Sequence, residues 1–323
     1  MKTRITELFG IKHPIICGAM FWLCEPHLCA AVSNAGALGN ITAARYESGE
    51  ELREAILLAR KMTDKPFGVN ITLLPSIRIP QERYDDYFRV CAEEQVTVIE
   101  VSGAPATKYM NMLHKAGVKA MHKVGAVRHA KNIERFGYDA VIAAGVEEGG
   151  HPLDDDVATT VLTPKIVEAV KIPVITAGGI ADGRGLAAAL CLGAEAVLMA
   201  SRFMATEECQ VHQAIKEELL KREEHETTLI CKSLKLQGRG LKTKLVEQIL
   251  EIEARNGGIE ELAPLITGMR IADASTCGDV DGAVWYVGQS IGLIKKVTTC
   301  QELIDGMVKE AEEIFKKNLA LFV

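Results

Sequence analysis

The sequence predicts an α/β protein built as a (β/α)8 TIM barrel, with a helical insertion near the C-terminus that caps it. Three observations lead there. Eight short β-type runs alternate with helical stretches over residues 13–201, and such alternation gives a parallel sheet. Nearly all the runs are continuously apolar, as strands covered on both faces must be. Glycines end the helical stretches just ahead of the next strand, at Gly36, Gly117, Gly137 and Gly193, where a left-handed cap favours glycine. Eight such units in ~200 residues suit a closed barrel. A doubly wound sheet is the alternative, but it usually uses fewer strands, and no G-x-G-x-x-G follows the first one.

The elements follow in order. HPIICGAM (13–20) precedes helical PHLCAAVSNAG, and ALGNIT (37–42) precedes GEELREAILLARKMT. PFGVNITLL (66–74) leads to QERYDDYFRVCAEEQ, VTVIEVSG (96–103) to ATKYMNMLHKAG, and VKAMHKVG (118–125) to VRHAKNIERFG. DAVIAAG (139–145) runs into the loop VEEGGHPLDDD and then LTPKIVEAV. IPVITAGG (172–179) leads to GRGLAAALCLG, and AEAVLMAS (194–201) closes the series. The barrel is expected over 1–209. Residues 210–274 carry acids and lysines at helical spacing, in HQAIKEELLKREEHETT and TKLVEQILEIEARNGGIEELAPLI, and read as helices with solvated faces at the barrel mouth. Residues 275–323 return to the barrel. Their final amphipathic helix, 301–318, either completes the outer ring or joins a homodimer.

Composition sets the class. A chain of 323 residues, 48% hydrophobic and 25% charged, suits a globular enzyme-sized fold. A net charge of -6 and a pI near 5.8 argue against nucleic acid as a partner, since phosphate binding needs a basic surface. No apolar run reaches the ~18 residues that span a bilayer, and MKTRITELFGIKHP lacks a signal peptide's apolar core. A cytoplasmic protein without a membrane partner is expected. Nine cysteines with no C-x-x-C pair read as reduced thiols packing as small hydrophobes. Cys17, Cys24 and Cys29 fit no zinc spacing, although Cys17 and Cys24 lie close enough to the first strand's end for a site role.

In such barrels the active site lies at the C-terminal ends of the strands. Those ends carry Gly18, Ala19 and Met20, then Asn70, then His122 and Lys123. Glu147, Glu148 and His151 follow the sixth strand, Ala177, Gly178 and Gly179 the seventh, and Ala200 and Ser201 the eighth. The glycines of AGGIADGRG, with MASRF one unit later, read as a phosphate site, because glycine lets backbone N–H groups approach an anion. The plainer reading is a pair of tight turns. Lys123, at the end of a buried strand, either snorkels outward or offers a cation to an anionic ring or substrate. Asn70 would hydrogen-bond a heterocycle or steady a turn. Phe21 and Trp22 are candidates for a substrate wall, and Trp285 and Tyr286 belong either to the core or to the site mouth.

His151 sits in GVEEGGHPLDDD (145–156), between glycines and a proline that fixes the backbone after it. It is either incidental to an acidic surface loop or a base held over a substrate. The neighbouring carboxylates would raise its pKa if close, and Asp155 and Asp156 would cap the next helix. Metal chemistry would need ligands from several strand ends. Only Glu147, Glu148 and His151 qualify, from one loop, so no metal is expected.

Together, HPIICGAM, AAVSNAGALG, KPFGVNITL, EEGGHPLDDD, ITAGGIADGRGLAAALCLGAEAV, MASRF and GDVDGAVWYVGQSIGLI resemble the nitronate monooxygenase family, formerly the 2-nitropropane dioxygenases, in order and over essentially the whole chain. Its superfamily includes FMN-dependent enoyl-acyl-carrier-protein reductases and NAD(P)H:quinone reductases. The resemblance implies FMN at the strand ends beneath a helical cap. It implies that Gly18, Ala19 and Met20 line the isoalloxazine and that Asn70 and Lys123 hydrogen-bond it. Gly178, Gly179, Ala200 and Ser201 would hold the phosphate, Glu147, Gly150 and Ala177 would complete the cofactor shell, and His151 would be catalytic. Ala37 and Ala19 stand where the family has glycines, Ala144 where it often has an acid, and MASRF replaces MGTRF. Substrate specificity therefore does not carry over.

Two chemistries follow. In the favoured one, alkyl nitronates or nitroalkanes are oxidised with O2, and His151 either takes the proton α to the nitro group, as a base of pKa near 7, or stabilises the bound nitronate. In the other, NADH or NADPH drives reduction of an enoyl thioester or quinone, with His151 orienting or protonating the acceptor. The acidic run after Pro152 looks closer to the monooxygenase and quinone-reductase branches, and MKTRITELFGIKHPI resembles the start of the enoyl reductases. A barrel that merely binds a phosphorylated ligand would carry the phosphate site without a base above it.

Overall fold

The computed structural model describes residues 1–74, 79–152 and 155–321. Each apolar run forms a strand: β1 (Ile15–Cys17), β2 (Gly39–Thr42), β3 (Phe67–Leu73), β4 (Val98–Gly103), β5 (Lys119–Val124), β6 (Ala140–Ala144), β7 (Val174–Ala177) and β8 (Ala196–Met199). All pair in parallel, in the order β1-β8-β7-β6-β5-β4-β3-β2. The ring closes where Ile16 bridges to Leu38, just ahead of β2. Two bonds hold that seam: Cys17 N–H donates to Leu38 O at 2.9 Å, and Leu38 N–H to Ile15 O at 3.0 Å. The expected TIM barrel is therefore the observed fold.

The runs are apolar throughout because both faces are covered. Ile16, Leu38, Val98, Met121, Ile142 and Ile175 form one fully buried cluster inside the ring. A short helix, Arg4–Phe9, is fixed by a capping box at Thr3 and adds Ile5 and Phe9 to that cluster. Thr3 and Arg4 bind the backbone of Glu195 and Lys171, ahead of β8 and β7, so this helix plugs the end opposite the strand C-termini. The glycine caps fall where expected: Gly36, Gly117, Gly137 and Gly193 have φ between +79° and +90°.

After β8 the helix is a single turn, Ser201–Met204. The eighth place in the outer ring goes to the final helix, Cys300–Leu319, which packs on the helices Gly183–Cys191 and Pro26–Asn34. Its buried residues, Cys300, Leu303, Ile304, Met307, Val308 and Ala311, recur at helical spacing. Of the two roles the sequence left open, this helix fills the ring. Between them, the segment 210–274 holds the helices Gln213–Lys221, Lys244–Ala254 and Ile259–Ile266, with Gly268–Cys277 spanning its end. It also holds an antiparallel hairpin, β9 (Thr227–Ile230) and β10 (Gly238–Leu241), which the charge spacing does not reveal. No helix among the described residues is long and apolar enough to cross a membrane.

Two helices of the outer ring come close together at Gly183. A Cβ there would lie 2.5 Å from both Met307 O and Glu310 Cβ, and the Gly183 N–H donates to Glu310 Oε2 at 2.8 Å. Overpacking of this kind typically costs about 1–3 kcal/mol. Gly183→Ala is predicted to lower the urea midpoint accordingly. An unchanged midpoint would show that the final helix is not held at this point.

Candidate active site

The C-terminal strand ends open into a cavity of about 670 Å³. Gly18, Ala144, Ala177 and Ala200, at the ends of four strands, line it with small side chains and leave a broad floor. A Cβ at Gly18 would lie 2.4 Å from Leu198 Cδ2, so a larger residue at that turn would push the Leu198 side chain aside. Gly178 and Gly179 follow β7 at φ +99° and +74°, a backbone path that L side chains rarely take. Beneath the floor, Cys24 Sγ receives the Met20 N–H at 3.2 Å and lies 3.4 Å from Gly18 O. Cys17 and Cys24 thus buttress the Gly18–Met20 turn from behind.

The loop after β6 is built around two adjacent glutamates with different destinations. Glu147 turns back to the helix Thr159–Val167. Its carboxylate accepts the Thr159 N–H at 3.0 and 3.1 Å and the Thr159 hydroxyl at 2.8 Å, a favourable place for an anion at a helix N-terminus. It does the capping expected of Asp155 and Asp156. Asp155 instead pairs outward with Arg128 at 2.8 Å, and that helix has no cap bond from the residue before it. Glu148 points to the barrel, where Lys123 Nζ lies 3.1 and 3.3 Å from its oxygens.

His151 comes next and is fixed from the insertion. Gly150 pairs with Arg239 of β10 through two backbone bonds, of 3.1 and 2.6 Å. The Arg239 side chain reaches on to Val146 O at 3.0 Å, and Gln237 Nε2 donates to Pro152 O at 3.1 Å. The Tyr286 ring meets the His151 ring edge-on at 5.4 Å. Gly238 admits no side chain here: a Cβ would lie 2.8 Å from Tyr286 Cε1 and 3.4 Å from His151 Nδ1.

The electrostatics differ from the expectation for an acidic loop. His151 is exposed to the cavity it lines. The protein crowded around it, and then the positive charge of Lys123, push its pKa down to about 4. The loop carboxylates do not raise it, because Asp155 faces Arg128; Asp154 lies outside the described residues. Both influences favour the neutral imidazole, opposite to the rise that the loop carboxylates would give. His122, also on the wall, is pushed to about 4 by burial. Its Nε2 has no hydrogen-bond partner within the protein.

Of the residues singled out from sequence, Gly18, Ala19, Met20, Phe21, Lys123, Gly150, His151, Ala177, Gly178, Gly179, Ala200 and Ser201 meet at this cavity. Three do not. Asn70 is buried and spends its amide on Glu100 O and the Thr72 hydroxyl. Glu147 is occupied at the helix terminus. Trp22 turns away at φ +68° and lies under the Arg45 guanidinium, 4.5 Å from the ring centre. Sequence reasoning passed over Glu100, a lone acid in the apolar run of β4, and Gln237 of the hairpin, both on the wall. Trp285 and Tyr286 also line it, although Trp285 is 1% exposed and ties its Nε1 to Val280 O.

Comparison with known proteins fits this geometry. The chain is 37% identical to the (3aS,4S,5R,7aS)-5-hydroxy-7a-methyl-1-oxo-octahydro-1H-indene-4-carboxyl-CoA dehydrogenase of Rhodococcus jostii, over 96% of each chain. It superposes on FabK from Thermotoga maritima with a TM-score of 0.92 and 40% identity, over 100% of both chains. The nitroalkane oxidase of Streptomyces ansochromogenes gives 0.84 and 27%, over 97% of this chain and 99% of that one. The nitronate monooxygenase family model matches residues 2–310. The chain is an oxidoreductase and belongs to the nitronate monooxygenase family.

Proposed function

We propose that this chain is an FMN-dependent oxidoreductase that oxidises alkyl nitronates with dioxygen. The observation that carries this is an imidazole, His151, held on the wall of a cavity whose floor is the glycine- and alanine-rich ends of β1, β7 and β8. The residues present suit FMN. Small side chains at four strand ends leave space for a planar ring, and Lys123 supplies a cation. Gly18, Ala19, Met20 and Lys123 would line the ring. Gly178, Gly179, Ala200 and Ser201 would hold the phosphate; the Ser201 hydroxyl oxygen already accepts the Gly288 N–H at 3.0 Å and keeps its own proton to donate. When bound, FMN supplies the electron acceptor and the route to dioxygen.

A nitronate arrives already deprotonated. His151 is then asked to orient an anion through its ring N–H, not to remove a proton, and a pKa of about 4 suits that role. Phe21, Leu23, Met204, Leu236 and Ile271 supply an apolar outer wall for the alkyl part. All nine cysteines are free, which suits a reducing compartment such as the cytoplasm.

A second reading is favoured by the two relatives above 35% identity, one of them named for a CoA thioester. In it, the same apolar wall receives an acyl chain, and NADH or NADPH drives reduction of an enoyl thioester. The two readings diverge in one experiment. The purified yellow protein is mixed anaerobically with propyl nitronate or with NAD(P)H, and the visible bands are followed. Bleaching by nitronate alone is expected. Rapid bleaching by a nicotinamide, with none by nitronate, would sink the first reading and leave the second.

His151→Ala is predicted to keep the bound flavin's colour and lose about 10²–10³ in kcat/KM, the range for removing one positioned hydrogen-bond donor. Full turnover in that variant would remove His151 from the reaction. The protonation state has its own readout. By nitrogen-resolved NMR, the resonance missing in His151→Asn should titrate near 4 and not near the ordinary value of about 6.5. Because the folded-state pKa is lowered, the stability tied to the neutral ring is present above about 6.5 and is lost as pH falls through 4.

A further inference from the structure

Phe21 stands where the barrel and the insertion meet at the cavity. It follows the Gly18–Met20 turn, and its ring rests on Gly268, the first residue of the helix Gly268–Cys277. A Cβ at Gly268 would lie 2.5 Å from Phe21 Cε1 and 2.9 Å from Cδ1 and Cζ. Gly268 does not take the left-handed backbone that favours glycine, so its bareness answers to the ring. Both residues line the cavity. Their chain neighbours lie toward the surface: Trp22 is half-buried and Met269 is 39% exposed. The Phe21 ring, itself half-buried, therefore separates the cavity from solvent across the join of barrel and insertion.

The ring is held from outside the cavity. Trp22 takes φ +68°, a conformation that costs a bulky residue and persists only where its surroundings fix it. The reversal sends consecutive side chains apart, with Phe21 on the cavity wall and Trp22 off it. The N–H groups of Leu23 and Cys24 return to Met20 O at 3.2 and 3.0 Å and close the turn. Arg45 ends the single turn Ala43–Arg45 after β2, does not line the cavity, and grips Trp22 twice. Its Nη1 donates to Trp22 O, and its guanidinium carbon lies 4.5 Å from the ring centre. The Trp22 ring meets the Phe21 ring in turn, with centres 6.2 Å apart and planes at 43°.

We propose that Phe21, seated on Gly268, is the stop that sets how long an alkyl chain the cavity accepts, and that Arg45 is a positioning residue that holds this stop through Trp22. Both roles rest on the reading that the cavity takes alkyl nitronates. Each methylene of the substrate gains by leaving water as far as the Phe21 ring. A longer chain gains nothing more unless it parts the ring from Gly268, and the strained, twice-held Trp22 resists that movement.

The test is a length series on the flavin-loaded protein. Nitroalkanes from nitroethane to nitrooctane are titrated in by calorimetry, and turnover is measured with the matching nitronates. Affinity should rise with length and then break off. Phe21→Ala and Phe21→Leu should move the break to longer chains. Preference for the first excluded length over nitroethane should rise by about tenfold or more, the worth of one methylene in a hydrophobic pocket. Gly268→Ala should change the break in the native background and have no effect in Phe21→Ala, where no ring is left to meet. Arg45→Met should admit longer chains with kcat for ethyl nitronate unchanged, and Arg45→Lys, which keeps a cation and a donor, should restore the break. An unmoved break in both Phe21 variants overturns the stop. A Gly268→Ala effect that persists without the ring overturns the seat, and equal losses at every length in Arg45→Met overturn the part of Arg45. A break that moves in Phe21→Ala, in protein that oxidises no nitronate, upholds the stop and sinks the proposed function. Nitronate turnover with affinities indifferent to Phe21 does the reverse, and a cavity that binds no nitroalkane of any length overturns both.

Discussion

The arrangement of the site depends on a pair of backbone hydrogen bonds between Gly150 and Arg239. His151 lies in a stretch without regular structure, and a free loop of glycines would leave its ring unplaced. The pairing makes Gly150 an extension of the hairpin, and the Arg239 and Gln237 side chains tie down the loop on either side. The cost is steric. Gly238 must stay bare so that Tyr286 and His151 can meet across it, and Gly149 must stay bare because a Cβ would lie 2.6 Å from the Val287 carbonyl carbon. The barrel offers the floor, and the insertion fixes what stands above it.

Much of the fold was legible because its cause is local. A strand covered on both faces must be apolar along its whole length, and a helix ending in a left-handed turn selects glycine, so β1 to β8 and the caps at Gly36, Gly117, Gly137 and Gly193 are written in single stretches of chain. The hairpin was not legible for the opposite reason. GRGL carries no alternation, since its glycines answer to Tyr286 and Val284, residues some forty positions later in the chain. In the site, the strand ends were found from topology alone. What sequence could not do was divide Glu147 from Glu148, because neighbouring side chains in a turn take their directions from the tertiary structure. One caps a helix and the other faces a lysine.

The same limit explains the histidine. Five acids stand within a few residues of His151 in the chain, and proximity in sequence suggests a raised pKa. Distance in space decides otherwise: Lys123, from a different strand, acts on the ring, and the surrounding protein disfavours its charge. Glu100 shows the converse. A single acid in VIEVSG is conspicuous as a break in an apolar strand, but the charges that act on it, those of Lys123 and Glu148, come from other segments. Desolvation pushes the imidazole down and the carboxyl up, each toward its neutral form.

The final helix has a consequence for how the molecule is made. Cys300–Leu319 fills the place that the one-turn helix after β8 leaves open, and the whole insertion lies between them in the chain. A ribosome delivers β8 long before it delivers the residues that cover the flank between Pro26–Asn34 and Gly183–Cys191. Until then the nascent barrel carries an uncovered apolar stripe on that side, at the moment when most of its strands can already pair. Completion of the ring therefore waits until the whole insertion has been made, and the quality of the product depends on how that flank is shielded in the interval.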